Sequence, residues 1–165
     1  MVARLSLFTA DARPAAALIR LTVGLVFFSE GAGKFLSPDQ QGTGRFARIG
    51  LPAPELLGPF VGATELFCGW LLLVGLVTRL AAAPLFCTMV VALLSTKVPI
   101  LLGRGYFIFV HTFAPKAGLW AFLHESRTDL AMLAGTAFLM LVGSDRFTLD
   151  ARFAAPDPGS AKKSS

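Results

Sequence analysis

Charge is what this chain of 165 residues has least of: Asp, Glu, Lys and Arg make up 15%, against roughly 25% in soluble domains. Apolar residues make up 55% before glycine is counted, and mean hydropathy is +0.67. A water-soluble globule is excluded. Two cysteines are too few for a disulfide scaffold, and 15 phenylalanines are too many for a disordered chain. Clustered basic residues are missing as well. The net charge of +5 comes from 15 Lys and Arg scattered singly among apolar runs, and only Lys162 and Lys163 are adjacent. A nucleic-acid face needs basic clusters interleaved with aromatics, so the cations point to membrane orientation and anionic lipid headgroups, with no nucleic acid as partner.

A bilayer core about 30 Å thick needs about 20 helical residues, and four stretches have the length or nearly so. The first runs from about Pro14 to Leu36, with Arg20 inside it and Glu30 and Lys34 toward its end. The second, Leu56 to Thr78, has Glu65 as its only charge, and the third runs from Leu80 to about Pro99 with nothing charged before Lys97. The fourth, Leu130 to Ser144, is on the order of 22 Å long and must borrow the turn at Arg127 to Asp129 or thin the bilayer. Between spans three and four, Gly105 to His124 is aromatic but interrupted by Pro115-Lys116, so it reads as an interfacial or re-entrant segment. The expected fold is all-α, a four-transmembrane-helix bundle with that aromatic segment between helices 3 and 4.

Residues 1–13 read as a leader without a signal-peptide cleavage pattern, residues 14–152 as the transmembrane domain, and residues 153–165, with Pro, Ser and Lys repeated, as a disordered polar tail. Four spans place both termini on one side. Seven cations on that side against six on the other favour cytoplasmic termini, in what is expected to be a bacterial inner membrane.

Each charge inside a span needs a partner or a role. On a helical wheel Gly58, Gly62, Glu65 and Gly69 share one face of span two, with Cys68 at its edge; Arg20, Gly24, Gly31 and Lys34 share one face of span one. Small residues beside charges suit two helices in close approach. The wheel makes Arg20 a partner for Glu65, and matching depths suggest a Glu30 to Lys97 pair. Glu65 is either a buried staple that fixes helix packing or a carboxyl that carries protons or binds a ligand.

Metal or haem ligation has little to work with. His111 and His124, thirteen apart, are the weak metal candidates and read better as headgroup-level residues. Cys68 and Cys87 read as buried free thiols. No covalent or ligated cofactor is expected. Glu30, Lys34, Lys97, His111, His124, Glu125 and Asp129 all fall on the side with the longer loops. A site is therefore expected there, between the loop mouth and Glu65, walled by the aromatics from Tyr106 to Phe122.

Four stretches carry a family resemblance. Gly24 to Phe35 (GLVFFSEGAGKF) with Gly50 to Pro54 (GLPAP), Glu65 to Ala82 (ELFCGWLLLVGLVTRLAA), and Gly143 to Asp150 (GSDRFTLD) are similar to the DoxX family of small membrane proteins. The resemblance spans roughly Arg20 to Arg152. It implies a four-helix membrane bundle and an association with quinone-linked redox chemistry, related members being partners of redox enzymes. Glu30 stands where the family commonly has His, and Thr148 where Ser is usual. The leading expectation is a non-catalytic accessory subunit of a quinone-linked redox complex, meeting other membrane subunits or further copies of itself through its outer faces. The enzyme alternative uses Glu65 for proton exchange, with Arg20, Glu30, Lys34 or Lys97 around a bound quinone; a small-molecule transporter is a third.

Overall fold

A computed structural model describes residues 10–11, 15–110, 116–145 and 148–150. The polar tail and nearly all of the leader lie outside the described residues, as do His111 and Arg146. The long helices are α1 (Ala15–Leu36), α4 (Pro54–Val74), α5 (Thr78–Ala92) and α7 (Leu119–Val142), and the first loop folds into two short helices, α2 (Pro38–Gln41) and α3 (Thr43–Arg48). A π-helical turn, Leu93–Lys97, joins α5 to α6 (Val98–Leu102), so one continuous rod runs from Thr78 to Leu102. Among the described residues three helices are long and apolar enough to cross a membrane: Ala16–Leu36, Pro54–Val74 and Thr78–Leu102. The fourth, α7, is long but carries His124, Glu125, Arg127 and Asp129 in its first half.

That fourth helix corrects the sequence reading. It begins at Leu119 rather than Leu130, because Gly118, at φ +104°, turns the chain into it and no Gly or Pro then interrupts the run before Gly135. The end of the aromatic segment, Leu119 to His124, is therefore helical. Tyr106 to Phe109 forms a separate tight turn, with reciprocal backbone hydrogen bonds of 3.1 and 2.9 Å.

The helices pack antiparallel to their neighbours. Gly24 of α1 lies against Gly69 and Leu72 of α4, and Gly31 lies against Gly62 and Leu66, so residue numbers on the two helices run in opposite directions. Arg79 at the start of α5 donates to the Leu141 and Val142 carbonyls at the end of α7, at 3.0 and 3.3 Å, where a cation also meets the negative end of the helix dipole. The core sits at the short-turn end. Val23 and Phe27, Leu71 and Leu72, Ala82 and Leu85, and Leu139 close there from four helices, leaving the long-loop end to the polar side chains.

The turn between α4 and α5 shows why the end of the sequence matters to the middle. Gly75 takes φ +71° and Val77 takes φ +46°, a left-handed conformation that costs a β-branched residue on the order of 1–3 kcal/mol. The Asp150 carboxylate holds it in place. Asp150 accepts the Val77 and Thr78 N–H groups at 2.7 and 3.1 Å and the Thr78 hydroxyl at 3.3 Å, capping the first turn of α5 from 72 residues away. Thr148, buried, packs its methyl where a side chain at Gly75 would sit. Asp150→Ala is expected to cost about 2 kcal/mol, or about 4–8 °C in the melting temperature in detergent. An unchanged melting temperature would mean that this cap carries no weight.

Candidate functional site

The ionisable groups separate into three arrangements. The first centres on Glu65 of α4, 4% exposed, whose Oε2 accepts from Lys34 Nζ at 2.5 Å. Glycines make this pair possible. A Cβ at Gly31 would lie 2.8 Å from the Gly62 carbonyl and the Leu66 Cα, and one at Gly69 would lie 2.6 Å from the Phe28 N; with hydrogens there instead, the α1 and α4 backbones touch and lipid is kept from the carboxylate. Gly62 meets the Lys34 stem and Phe35, and Gly58 meets Thr43 at the start of α3. All five wheel glycines, Gly24, Gly31, Gly58, Gly62 and Gly69, thus stand at close approaches of α4 to α1 or α3.

The expected partner of Glu65 was Arg20, and here the structure differs. Arg20 donates instead to the carbonyls of Leu72 and, at 2.9 Å, Leu73. These lie in the last turn of α4, where the dipole is negative; the Leu72 carbonyl also accepts the Gly75 N–H at 3.1 Å. They are seven to eight residues, about 10–12 Å along the axis, from Glu65. The helix end captures the guanidinium, and Lys34 reaches back along α1 to the carboxylate.

The second arrangement corrects the Glu30 to Lys97 pair. Lys97, the last residue of the π-turn, pairs with Asp129 of α7 at 3.2 Å. Glu30 lies 4.0 Å from Lys34 with its side chain half-exposed, so it adds a peripheral carboxylate to the Lys34 ammonium. Depth matched Glu30 with Lys97, but α7 begins early enough to bring Asp129 alongside the π-turn.

The third arrangement is a cavity of about 310 Å³ at the long-loop mouth. The short helices of the first loop contribute Gln40, Arg45 and Arg48; the π-turn and α6 contribute Thr96, Lys97 and Ile100; Glu125 of α7 closes the wall. It lies on the expected side. The expected aromatic wall does not line it: Phe107 and Trp120 are 91% and 82% exposed, facing outward. Arg45 and Arg48 carried a signal that sequence reasoning missed. Pro38 after Ser37 marks a helix start, and two arginines three apart fall on one helical face.

His124 sits on the exposed side of α7, 3.4 Å from the Arg127 guanidinium. Among the described residues no three His, Cys, Asp or Glu side chains come close enough to hold a metal ion. Cys68 is a buried free thiol, whereas Cys87 is free but exposed on the outer face of α5, a departure from the expected burial of both. The outer face of α1 and α4 carries a shallow apolar groove of about 410 Å³ between Phe28 and Phe35 on one side and Leu66, Phe67 and Trp70 on the other, floored by Ala63.

Comparison with known proteins agrees with this architecture. The DoxX family model matches residues 15–98, which include α1, α4, α5 and the π-turn. The chain is similar to the uncharacterized membrane protein Rv3486 of Mycobacterium tuberculosis (strain ATCC 25618 / H37Rv), at 46% identity over 146 residues covering 88% of this chain and 85% of that one. No solved structure matches it. With the family's glycines, acidic residue and Thr-Arg turn each in a defined contact, the chain belongs to the DoxX family of multi-pass membrane proteins.

Proposed function

We propose that this protein is a non-catalytic accessory subunit of a quinone-linked redox complex, held in a bacterial inner membrane by four spans with both termini in the cytoplasm. In this reading α7 is the fourth span. Its 24 residues give about 36 Å of helix, and its charged first half stands at the long-loop mouth, where Asp129 has Lys97 as its counter-ion.

The observation that carries the accessory reading is the Lys34–Glu65 pair. The buried carboxylate in the middle of α4 is joined to a cation from the neighbouring helix and enclosed by glycine contacts, so its charge serves packing. What remains open to partner helices is the apolar exterior, with the groove at Phe28, Phe67 and Trp70 suited to one. The redox half of the proposal rests on the family resemblance.

Glu65 also fits poorly as a quinone site, because its carboxylate is already paired with Lys34 and the α1 and α4 backbones meet at Gly31 and Gly69 beside it. Of the four residues expected around a quinone, Lys34 is committed to Glu65, Arg20 to the α4 carbonyls, and Glu30 lies at the periphery. Lys97 alone of these four lines the mouth cavity, so the enzyme alternative, if it operates, moves from Glu65 to the mouth.

Mild-detergent extraction from native membranes, with mass, composition and absorption spectrum taken on one peak, tests the proposal. The expected result is a large assembly containing cofactor-bearing subunits. A small colourless homo-oligomer as the sole species would overturn it.

A further inference from the structure

We propose that the long-loop mouth cavity is an anion site that seats a phosphate group between Arg45 and Lys97. The lining is unbalanced in charge: Arg45, Arg48 and Lys97 face one carboxylate, Glu125. Two of the cations are partly engaged. Arg48 donates to the Asp39 and Gln40 carbonyls at 2.9 and 3.3 Å, and Lys97 pairs with Asp129 while keeping further N–H donors. The Arg45 guanidinium makes no hydrogen bond or ion pair with any described residue, and Glu65 is the carboxylate near enough to feel its charge. A half-buried guanidinium with its donor fork free, aimed at a cavity wall, matches the planar two-oxygen edge of a phosphate.

A second feature points to the same place. Thr96 and Lys97 reach the cavity from the π-turn Leu93–Lys97, and single π-turns inside α-helices occur frequently at functional sites. The extra residue swings Lys97 toward both Asp129 and the cavity, and the Gln40 amide adds a neutral donor. Ile100 makes one wall apolar. A volume of about 310 Å³ is at the small end of ligand sites, enough for a phosphate with a short polar substituent. Glu125 places the anion toward the α3 side of the cavity.

The phosphate can belong to an anionic lipid headgroup or to a soluble phosphate, and the two sources separate experimentally. Binding of dioctanoyl phosphatidylglycerol and of inorganic phosphate to the purified full chain in neutral detergent would be measured for wild type, Arg45→Gln, Glu125→Gln and the control Lys116→Gln. Saturable binding is expected, at least about tenfold weaker in Arg45→Gln, which removes a charge-assisted donor. Glu125→Gln is expected to bind about threefold tighter because a like charge leaves the wall, and Lys116→Gln to bind as wild type. Binding of the lipid alone assigns the site to a headgroup; competition between lipid and inorganic phosphate assigns it to the phosphate itself. Absence of saturable binding by both probes, or equal affinities in wild type, Arg45→Gln and Glu125→Gln, would overturn the proposal. The opposite signs expected for the two cavity variants separate a lost site from a lost fold.

Discussion

Lys34→Met is expected to destabilise the bundle by about 3–5 kcal/mol, the cost of leaving one member of a buried ion pair without its counter-ion. Glu65 is 4% exposed and takes its ammonium from Lys34, while Glu30 brings a second carboxylate within 4.0 Å of that ammonium. Removing the cation therefore strands a carboxylate in the helix interface with another nearby. Glu65→Leu is expected to cost less, because Lys34 retains Glu30 and is long enough to extend toward the interface. The double variant Lys34→Met/Glu65→Leu replaces the pair with apolar groups of similar size and is expected to recover most of the loss, since apolar replacement of a buried pair is often neutral or stabilising. Thermal unfolding of the four proteins in one detergent gives the coupling directly. Additive losses would show that the two side chains do not act as a pair.

Gly31→Leu is expected to be at least as damaging, at about 3 kcal/mol or more, and for a different reason. Its first side-chain carbon would lie 2.8 Å from the Gly62 carbonyl oxygen and the Leu66 Cα. Those are backbone atoms of α4 and cannot rotate away, so α1 and α4 must separate. Separation would also open the Lys34–Glu65 pair to lipid, compounding one cost with the other. A melting temperature about 6–12 °C below wild type is expected, whereas Ala63→Leu, on the open outer face of α4, is expected to melt as wild type. Equal behaviour of the two variants would mean that the glycine face does not set the helix separation.

The parts of this architecture that were legible in the sequence are those governed by periodicity. The glycine faces of spans one and two follow from counting 100° per residue, and the structure places those glycines in contact. The first three helices follow from uninterrupted apolar length. Pairing partners were less legible, because they depend on register between helices. Arg20 and Lys34 share a face with nearly equal claims on Glu65, and the deciding factor is the pair of carbonyls, Leu72 and Leu73, at the negative end of the α4 dipole, which no residue type advertises. The start of α7 was misplaced because Arg127 to Asp129 resembled a boundary; polar residues inside a helix end it only when they outcompete its backbone bonds, and these do not. The mouth cavity was legible in position but not in lining. Its arginines come from two short helices folded within a loop, and its lysine is aimed by a π-turn, neither of which leaves a period in the sequence.

Turnover of the native assembly with Lys34→Met/Glu65→Leu incorporated bears most directly on whether the intramembrane charges serve packing alone. The variant would be expressed in place of the wild-type chain, the complex extracted in mild detergent, and quinol-linked turnover measured per assembled complex. A packing role predicts wild-type composition and wild-type turnover, since neither side chain exchanges protons with a substrate. Full assembly with turnover abolished would contradict it and return Glu65 to the chemistry.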